Sequence, residues 1–375
     1  MIPLNPNLSG LKLSAIRRFT NLANSVPGCI KLTIGEPDFD TPQPIKDAAA
    51  AALAAGQTHY APNQGIPALR KAVAEYETKR GMACRPEQVL ITFGATGALY
   101  TALTGILHPG DEVIVPTPAF VLYESIILAA GCKCVPLDIS KNGFQIEEET
   151  LFSLITPRTR AIILNSPNNP SGAVLSEGSL AAVKNAVLGR DIWVICDNVY
   201  QLLTEGDCPD LSLDSDLRDR LFLCQSFSKP YAMTGWRAGY LIGPEQVMQR
   251  LLLLHAAIAA SVPTFIQTAC ITALDCDTSE MAAVYTRRRR FAARRLGEMG
   301  LSFPEPRGAF YIFVDISHLG LDSETFCTRL ILEAGVAAVP GSCFGTEGYI
   351  RLSCACGDEE LAEGLNRLEN FVKSL

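Results

Sequence analysis

SFSKPYAMTGWRAGY, residues Ser226 to Tyr240, ends an apolar run with an amine flanked by hydroxyls and places a guanidinium, Arg237, eight residues beyond Lys229. An amine so placed can form a Schiff base with an aldehyde, while Ser226, Ser228 and Arg237 can hold a phosphate dianion through charge-assisted hydrogen bonds. Taken alone, the segment equally fits a solvated lysine in a polar turn, because most lysines do nothing chemical. The apolar run before it, Leu221 to Cys224, reads as a buried strand. Open α/β sheets bind ligands beyond the carboxyl ends of such strands, so the rest of the chain decides between the two readings.

The chain has 375 residues, 48% hydrophobic and 19% charged, with a net charge of −7. That length suits two domains with a large interior. The acidic balance argues against nucleic acid as a partner. Met1 to Leu13 carries no basic flank followed by an apolar core, so no signal peptide is expected. Val247 to Ile258 is interrupted by Gln249, Arg250 and His255, and no membrane span is expected. Thirteen cysteines, an odd number without a secretory signal, point to reduced thiols in a cytoplasm. Cys132/Cys134 and Cys354/Cys356 lack histidines at zinc spacing and read as small buried side chains, so no metal is expected. The run Arg287 to Arg290 lies in a helical pattern and reads as a solvated face or subunit edge.

Short apolar runs alternate with helical stretches through the middle of the chain. Val89 to Thr92, Val113 to Val115, Ala161 to Leu164, Ile192 to Cys196 and Leu221 to Cys224 read as buried strands. Ala98 to Leu107, Ser176 to Val187 and Gln246 to Ile258 read as helices between or after them. This alternation predicts an α/β fold with a mostly parallel central sheet flanked by helices. From about Met281 a long helix, strands at Tyr311 to Val314 and Tyr349 to Leu352, and a last helix predict a smaller α+β domain. The expected division is a large cofactor-binding domain over 41–270 and a small domain over 1–40 plus 271–375.

The strand ends carry the chemistry. After the first come Gly94-Ala95-Thr96-Gly97 and a helix, whose free amides suit an anion. After the second comes Phe120, which can stack on a planar ring. The third leads to SPNNPSG, where Asn169 can donate to a ring oxygen. The fourth ends in Asp197, with Tyr200 one turn on, and the fifth delivers Ser226, Ser228 and Lys229. Asp197 alone fits a helix N-cap. Opposite a pyridine nitrogen, a carboxylate keeps that nitrogen protonated, so the ring can accept the electrons of a substrate carbanion. Together these groups suit pyridoxal 5'-phosphate.

With LTIGEPDF (Leu32 to Phe39), HYAPNQG (His59 to Gly65), SPNNPSG, DNVY (Asp197 to Tyr200), SFSKPYAMTGWRAGY and YIRLSCA (Tyr349 to Ala355) in this order, the chain resembles the class I/II aminotransferases of fold type I. The resemblance runs from about Leu11 to Phe371, and LTIGEPDF, MTGWR and GAFYIF look closest to the bacterial aminotransferase A type, associated with acetylated diaminopimelate. It implies a pyridoxal-phosphate enzyme that moves an amino group from an L-amino acid to a 2-oxo acid, 2-oxoglutarate being the expected acceptor, by a ping-pong route. Lys229 resembles the Schiff-base lysine and proton carrier. Ser226, Ser228, Arg237 and the Ala95 and Thr96 amides resemble the phosphate site, and Tyr60 the tyrosine that reaches the neighbouring subunit's phosphate in a homodimer with shared active sites. Arg351 resembles the arginine that pairs with the substrate α-carboxylate, and Gly35 the residue whose backbone lies over the substrate.

Three positions depart from the family pattern. Asn198 stands where a glutamate is common, Phe120 where Trp or Tyr often stacks, and Thr96 where many aspartate-preferring members carry lysine, which argues against strict aspartate specificity. The same cofactor site could serve a carbon–sulfur lyase or decarboxylase, because the fold does not decide how the carbanion partitions. A sensor domain fused to a DNA-binding module is not expected, since only about 30 residues precede LTIGEPDF.

Overall fold

The structure, a computed structural model, describes residues 5–8, 11 and 15–375. Most of the Met1 to Leu13 stretch read for a signal peptide lies outside them. In chain order the strands are β1 (Ile30–Lys31), β2 (Val89–Thr92), β3 (Glu112–Thr117), β4 (Lys133–Asp138), β5 (Thr159–Asn165), β6 (Trp193–Asp197), β7 (Leu221–Ser226), β8 (Gly239–Ile242), β9 (Tyr311–Asp315), β10 (Val336–Ala337), β11 (Val339–Pro340) and β12 (Tyr349–Ser353).

Seven of them form one sheet in the order β2-β8-β7-β6-β5-β3-β4. Only β8 runs against the others: it is antiparallel to both β2 and β7, and the remaining neighbours pair in parallel. The carboxyl ends of β2, β3, β5, β6 and β7 therefore lie along one edge. Both faces of this sheet are covered. Ile114, Ile162, Val194 and Leu223 pack into one core with Val183 and Ala186. Val113, Ile163, Ile195 and Cys224 pack into another with Ala98, Ala102 and Leu103. Burial on alternate sides leaves no polar position in the strand interiors, which explains their continuous apolar runs.

All five strands expected from sequence are present, and two more complete the sheet. β4 is an edge strand with alternating exposure and Pro136 inside it, tolerable where one side of the ladder is unpaired. β8 begins on Gly239, where a β-carbon would stand 2.5 Å from the Gln225 carbonyl oxygen and 2.7 Å from the Gly94 carbonyl carbon. Only glycine lets β8 pass between β7 and the helix at Gly94.

A separate core joins the antiparallel sheet β11-β12-β9 to helices Ser279–Glu298, Ser323–Ala334 and Asp358–Ser374. This is the expected α+β arrangement. The arginine run, expected on a solvated face or subunit edge, departs from that reading at two of its four positions, Arg287 and Arg290 being exposed. Tyr285, Arg288, Arg289, Ala292 and Leu296 form the inward stripe of helix Ser279–Glu298, and Arg289 is 1% exposed. Apolar Met281, Tyr285, Ala292 and Leu296 repeat with helical period, so two of the four arginines fall on the buried face.

SPNNPSG packs closely against the start of β9. At Gly172, φ is +70°, and an added β-carbon would lie 2.6 Å from the Tyr311 carbonyl oxygen. Gly172→Ala is therefore expected to destabilise the protein by about 1–3 kcal/mol, read as a lowered urea or thermal midpoint. An unchanged midpoint would show that the contact relaxes at no cost.

Candidate active site

β6 delivers a buried carboxylate. Asp197 is 4% exposed, and its Oδ2 accepts the Tyr123 hydroxyl at 2.5 Å. Its Oδ1 has no hydrogen-bond partner among the described residues. Asn165, the last residue of β5, donates from Nδ2 to the Asp197 carbonyl oxygen at 2.8 Å and accepts the Asn169 backbone N–H at 2.8 Å. One side chain thus fixes the ends of two neighbouring strands. Burial pushes the Asp197 carboxyl up to about 6, against the lowering effects of the Tyr123 hydroxyl, the Val199 backbone N–H and the Lys229 charge.

β7 runs into Ser226 and the loop holding Ser228 and Lys229. The Ser228 N–H donates to Ser226 Oγ at 3.0 Å. Lys229 Nζ donates to the Gly35 carbonyl oxygen, and burial brings its ammonium down to about 8. Gly94 to Gly97 is the first turn of helix Gly94–Ile106, a correction to its reading as a loop before the helix. The Ala95 and Thr96 amides are among the turn's unpaired donors. Arg237 reaches this turn so closely that a β-carbon on Gly94 would sit 3.0 Å from its Nη2.

β12 sends Arg351 in from the other side. It is 2% exposed and lies between two rings, Cζ 4.4 Å from the Tyr311 centroid and 5.1 Å from that of Phe344. Nη1 donates to Asn169 Oδ1 at 3.0 Å and Nη2 to the Thr33 carbonyl oxygen at 2.8 Å. Nε is unbonded, and burial lowers the group's pKa. Tyr200 and Tyr311 share a hydroxyl contact of 3.1 Å.

A cavity of about 240 Å³ opens among these groups. Gly35, Ala95, Thr96, Phe120, Asn169, Asp197, Tyr200, Ser226, Ser228, Lys229, Arg237 and Arg351 all line it. Tyr60 does not; it stands 89% exposed on the surface. The sequence reading missed Tyr123, Asn165, Tyr311, Thr33 and Thr234. Tyr123 follows Phe120 by three positions, Asn165 ends β5, and Tyr311 lies in GAFYIF, signals too local to assign without the fold. Asn198, the departure beside Asp197, donates to Asp210 Oδ1 at 2.9 Å, outside the cavity.

The family model for aminotransferase class I and II matches residues 27–368. The chain belongs to that family. Aromatic-amino-acid aminotransferase 2 of Thermococcus litoralis is 40% identical, with 99% of this chain and 98% of that one covered. The probable N-acetyl-LL-diaminopimelate aminotransferase of Bacillus subtilis is 39% identical over 98% and 95%. Among solved structures, a double mutant of Thermus thermophilus aspartate aminotransferase matches with a TM-score of 0.94 at 37% identity, covering 99% of this chain and 100% of that one. The protein is thus an aminotransferase, an enzyme of amino-group transfer that depends on pyridoxal phosphate.

The aminotransferase cavity fits that cofactor on an observation of its own. Asp197 Oδ1 is a buried acceptor without a donor, and a protonated pyridine nitrogen is the donor it lacks. Among the described residues, no group of three or more His, Cys, Asp or Glu could hold a metal ion, and no helix is long and apolar enough to cross a membrane.

Asp197 also links stability to pH. Its folded pKa, about 6, lies above the unfolded value, so the stability it contributes is full below about pH 4 and is lost as pH rises through 6. In the cofactor-free enzyme, Asp197→Asn should therefore stabilise by about 3 kcal/mol at pH 7 and about half that at pH 5. Thermal melts at the two pH values test this, and an equal gain at both contradicts the ionisation account.

Proposed function

We propose that this aminotransferase moves the amino group of an L-amino acid to 2-oxoglutarate in two half-reactions, as a homodimer of the cytoplasm. The observation that carries the reading is that Lys229, Arg351 and the unpaired Asp197 oxygen share one cavity. Bound pyridoxal phosphate supplies an aldehyde for the amine and a protonated ring that draws electrons from the α-carbon.

The chain's own groups do the rest. Arg351 pairs with the α-carboxylate of each substrate in turn, and the rings on either side of its guanidinium keep water from that pair. Asn169 Oδ1 is taken by Arg351, which leaves its Nδ2 to donate, with the Tyr200 hydroxyl, to the cofactor's ring oxygen. Ser226, Ser228, Arg237 and the Ala95 and Thr96 amides hold the phosphate, and Phe120 covers the ring. Gly35 leaves room over the substrate. Lys229 Nζ, uncharged above about pH 8, removes the α-proton and in the return half restores one to the α-carbon.

Exposed Tyr60 gains a role when it reaches the phosphate of a second copy, and thirteen free thiols suit a reducing compartment. We assign residues 41–270 to the large domain and 1–40 with 271–375 to the small one. Relatives of similar identity are named for aromatic amino acids, N-acetyl-LL-diaminopimelate and aspartate, and Thr96 in place of lysine argues against strict aspartate use. A donor screen with 2-oxoglutarate therefore comes first.

Lys229→Ala should lower turnover about a thousandfold or more, and near-normal activity would falsify the role of Lys229. Without an acceptor, wild-type enzyme should release one equivalent of 2-oxo acid per active site and no ammonia. Continuous release of ammonia with pyruvate would identify a lyase instead. Tyr60→Phe should weaken cofactor binding about tenfold, measured in a protein that sediments as a dimer. A monomer of full activity would refute the shared site.

A further inference from the structure

Adjacent arginines on helix Ser279–Glu298 turn inward and grip different segments. Arg289 is almost wholly buried and touches no carboxylate. All five of its N–H donors are nevertheless used: Nε on the Pro306 carbonyl oxygen at 2.9 Å, Nη1 on Ala309 at 2.5 Å and Leu203 at 3.4 Å, Nη2 on Thr286 Oγ1 at 3.0 Å and the Arg307 carbonyl at 3.4 Å. Only a planar fork of five donors can satisfy so many acceptors at once. One of them, Ala309, is held at φ +55°, a conformation that costs a residue with a β-carbon about 1–2 kcal/mol. The next residues are Phe310 and Tyr311, and the Tyr311 ring is one face of the Arg351 slot.

Arg288 grips the opposite wall. Its Nη1 donates to both oxygens of Asp38, at 2.8 and 2.9 Å, and its Nε to Asp358 at 2.6 Å. The Tyr285 hydroxyl, one turn back, donates to Asp38 at 2.9 Å. Asp38 ends the loop whose Thr33 carbonyl receives Arg351 and whose Gly35 carbonyl receives Lys229. The loop's other end is held by the Ser353 N–H on the Leu32 carbonyl at 2.9 Å. One helical turn thus fastens both sides of the slot in which Arg351 sits.

We infer that Arg288 and Arg289 are positioning residues for the Arg351 carboxylate site, Arg288 through Asp38 and the Thr33–Gly35 loop, Arg289 through Ala309 and Tyr311. This rests on the reading that Arg351 receives the α-carboxylate. Because amino donor and 2-oxo acid use that site in turn, loosening either wall weakens both substrates together. Damage that merely unfolds a fraction of the enzyme reduces the number of working sites and leaves both KM values unchanged.

The test is steady-state kinetics on purified holoenzyme, with active sites counted by cofactor content, for Arg288→Lys, Arg289→Lys, Asp38→Asn and, as the reference, Arg351→Lys. Each lysine variant keeps the charge and loses the fork. The two lysine variants on the helix and Asp38→Asn should raise KM for donor and acceptor in parallel by about tenfold. Turnover per loaded site should stay within about threefold. Asp38→Asn, on a side chain 25% exposed, spares the core and decides for the Arg288 wall. Thr286→Val, which removes one Arg289 acceptor and should raise both KM values in parallel, decides for the other wall if Arg289→Lys does not fold. Unchanged KM values in the variants that fold, with Arg351→Lys raising both, overturn the positioning role. Unchanged KM values in Arg351→Lys overturn the carboxylate reading itself.

Discussion

A carboxylate buried with one oxygen unbonded is the constraint around which this aminotransferase is built. Asp197 is held out of water at the end of β6, and Tyr123 satisfies only half of it. Removing a carboxylate from water costs several kcal/mol unless a partner replaces the lost hydration. Burial raises its pKa, the direction expected of that cost. A ring N–H cancels the cost and gains a proton-holding partner in return. The fold thus leaves a buried acceptor that a cationic ring nitrogen fits.

The sheet makes such a group possible. Five strands end on one edge because their connections run as parallel crossovers, and β8 reverses direction only where Gly239 allows it to slip past the start of helix Gly94–Ile106. Asn165 ties the ends of β5 and β6 together through two backbone groups, so Asp197 and Asn169 keep a fixed separation. Opposite them, Arg351 comes from a different sheet. Its charge is buried between two aromatic faces with a carbonyl and an amide oxygen, an environment that tolerates a guanidinium and still leaves Nε free. The cavity lies where these two sheets face each other.

The strands leading to Asp197, Asn169 and Lys229 were legible because sheets covered on both faces use continuous apolar runs, and because each run stops at a polar residue with little other reason to be there. β4 was not, since an edge strand exposed on one side, with Pro136 inside it, lacks that pattern. Arg288 and Arg289 were hidden for the opposite reason. Four arginines in a row look solvated until the period of Met281, Tyr285, Ala292 and Leu296 is laid across them. Tyr123 and Asn165 act on Asp197 across 74 and 32 residues of chain, a relation no local pattern carries.

By itself, the sequence determined the fold class and the family, and marked the polar residues at strand ends as candidates, because strand burial and the residues at strand ends are local properties of the chain. Tertiary structure alone decided which of those groups share a cavity, that Asp197 is left one donor short, and that two arginines of a charged run turn inward onto the segments flanking Arg351. Each of these depends on distances between segments far apart in sequence, where burial and hydrogen bonding, rather than residue type, set what a side chain does.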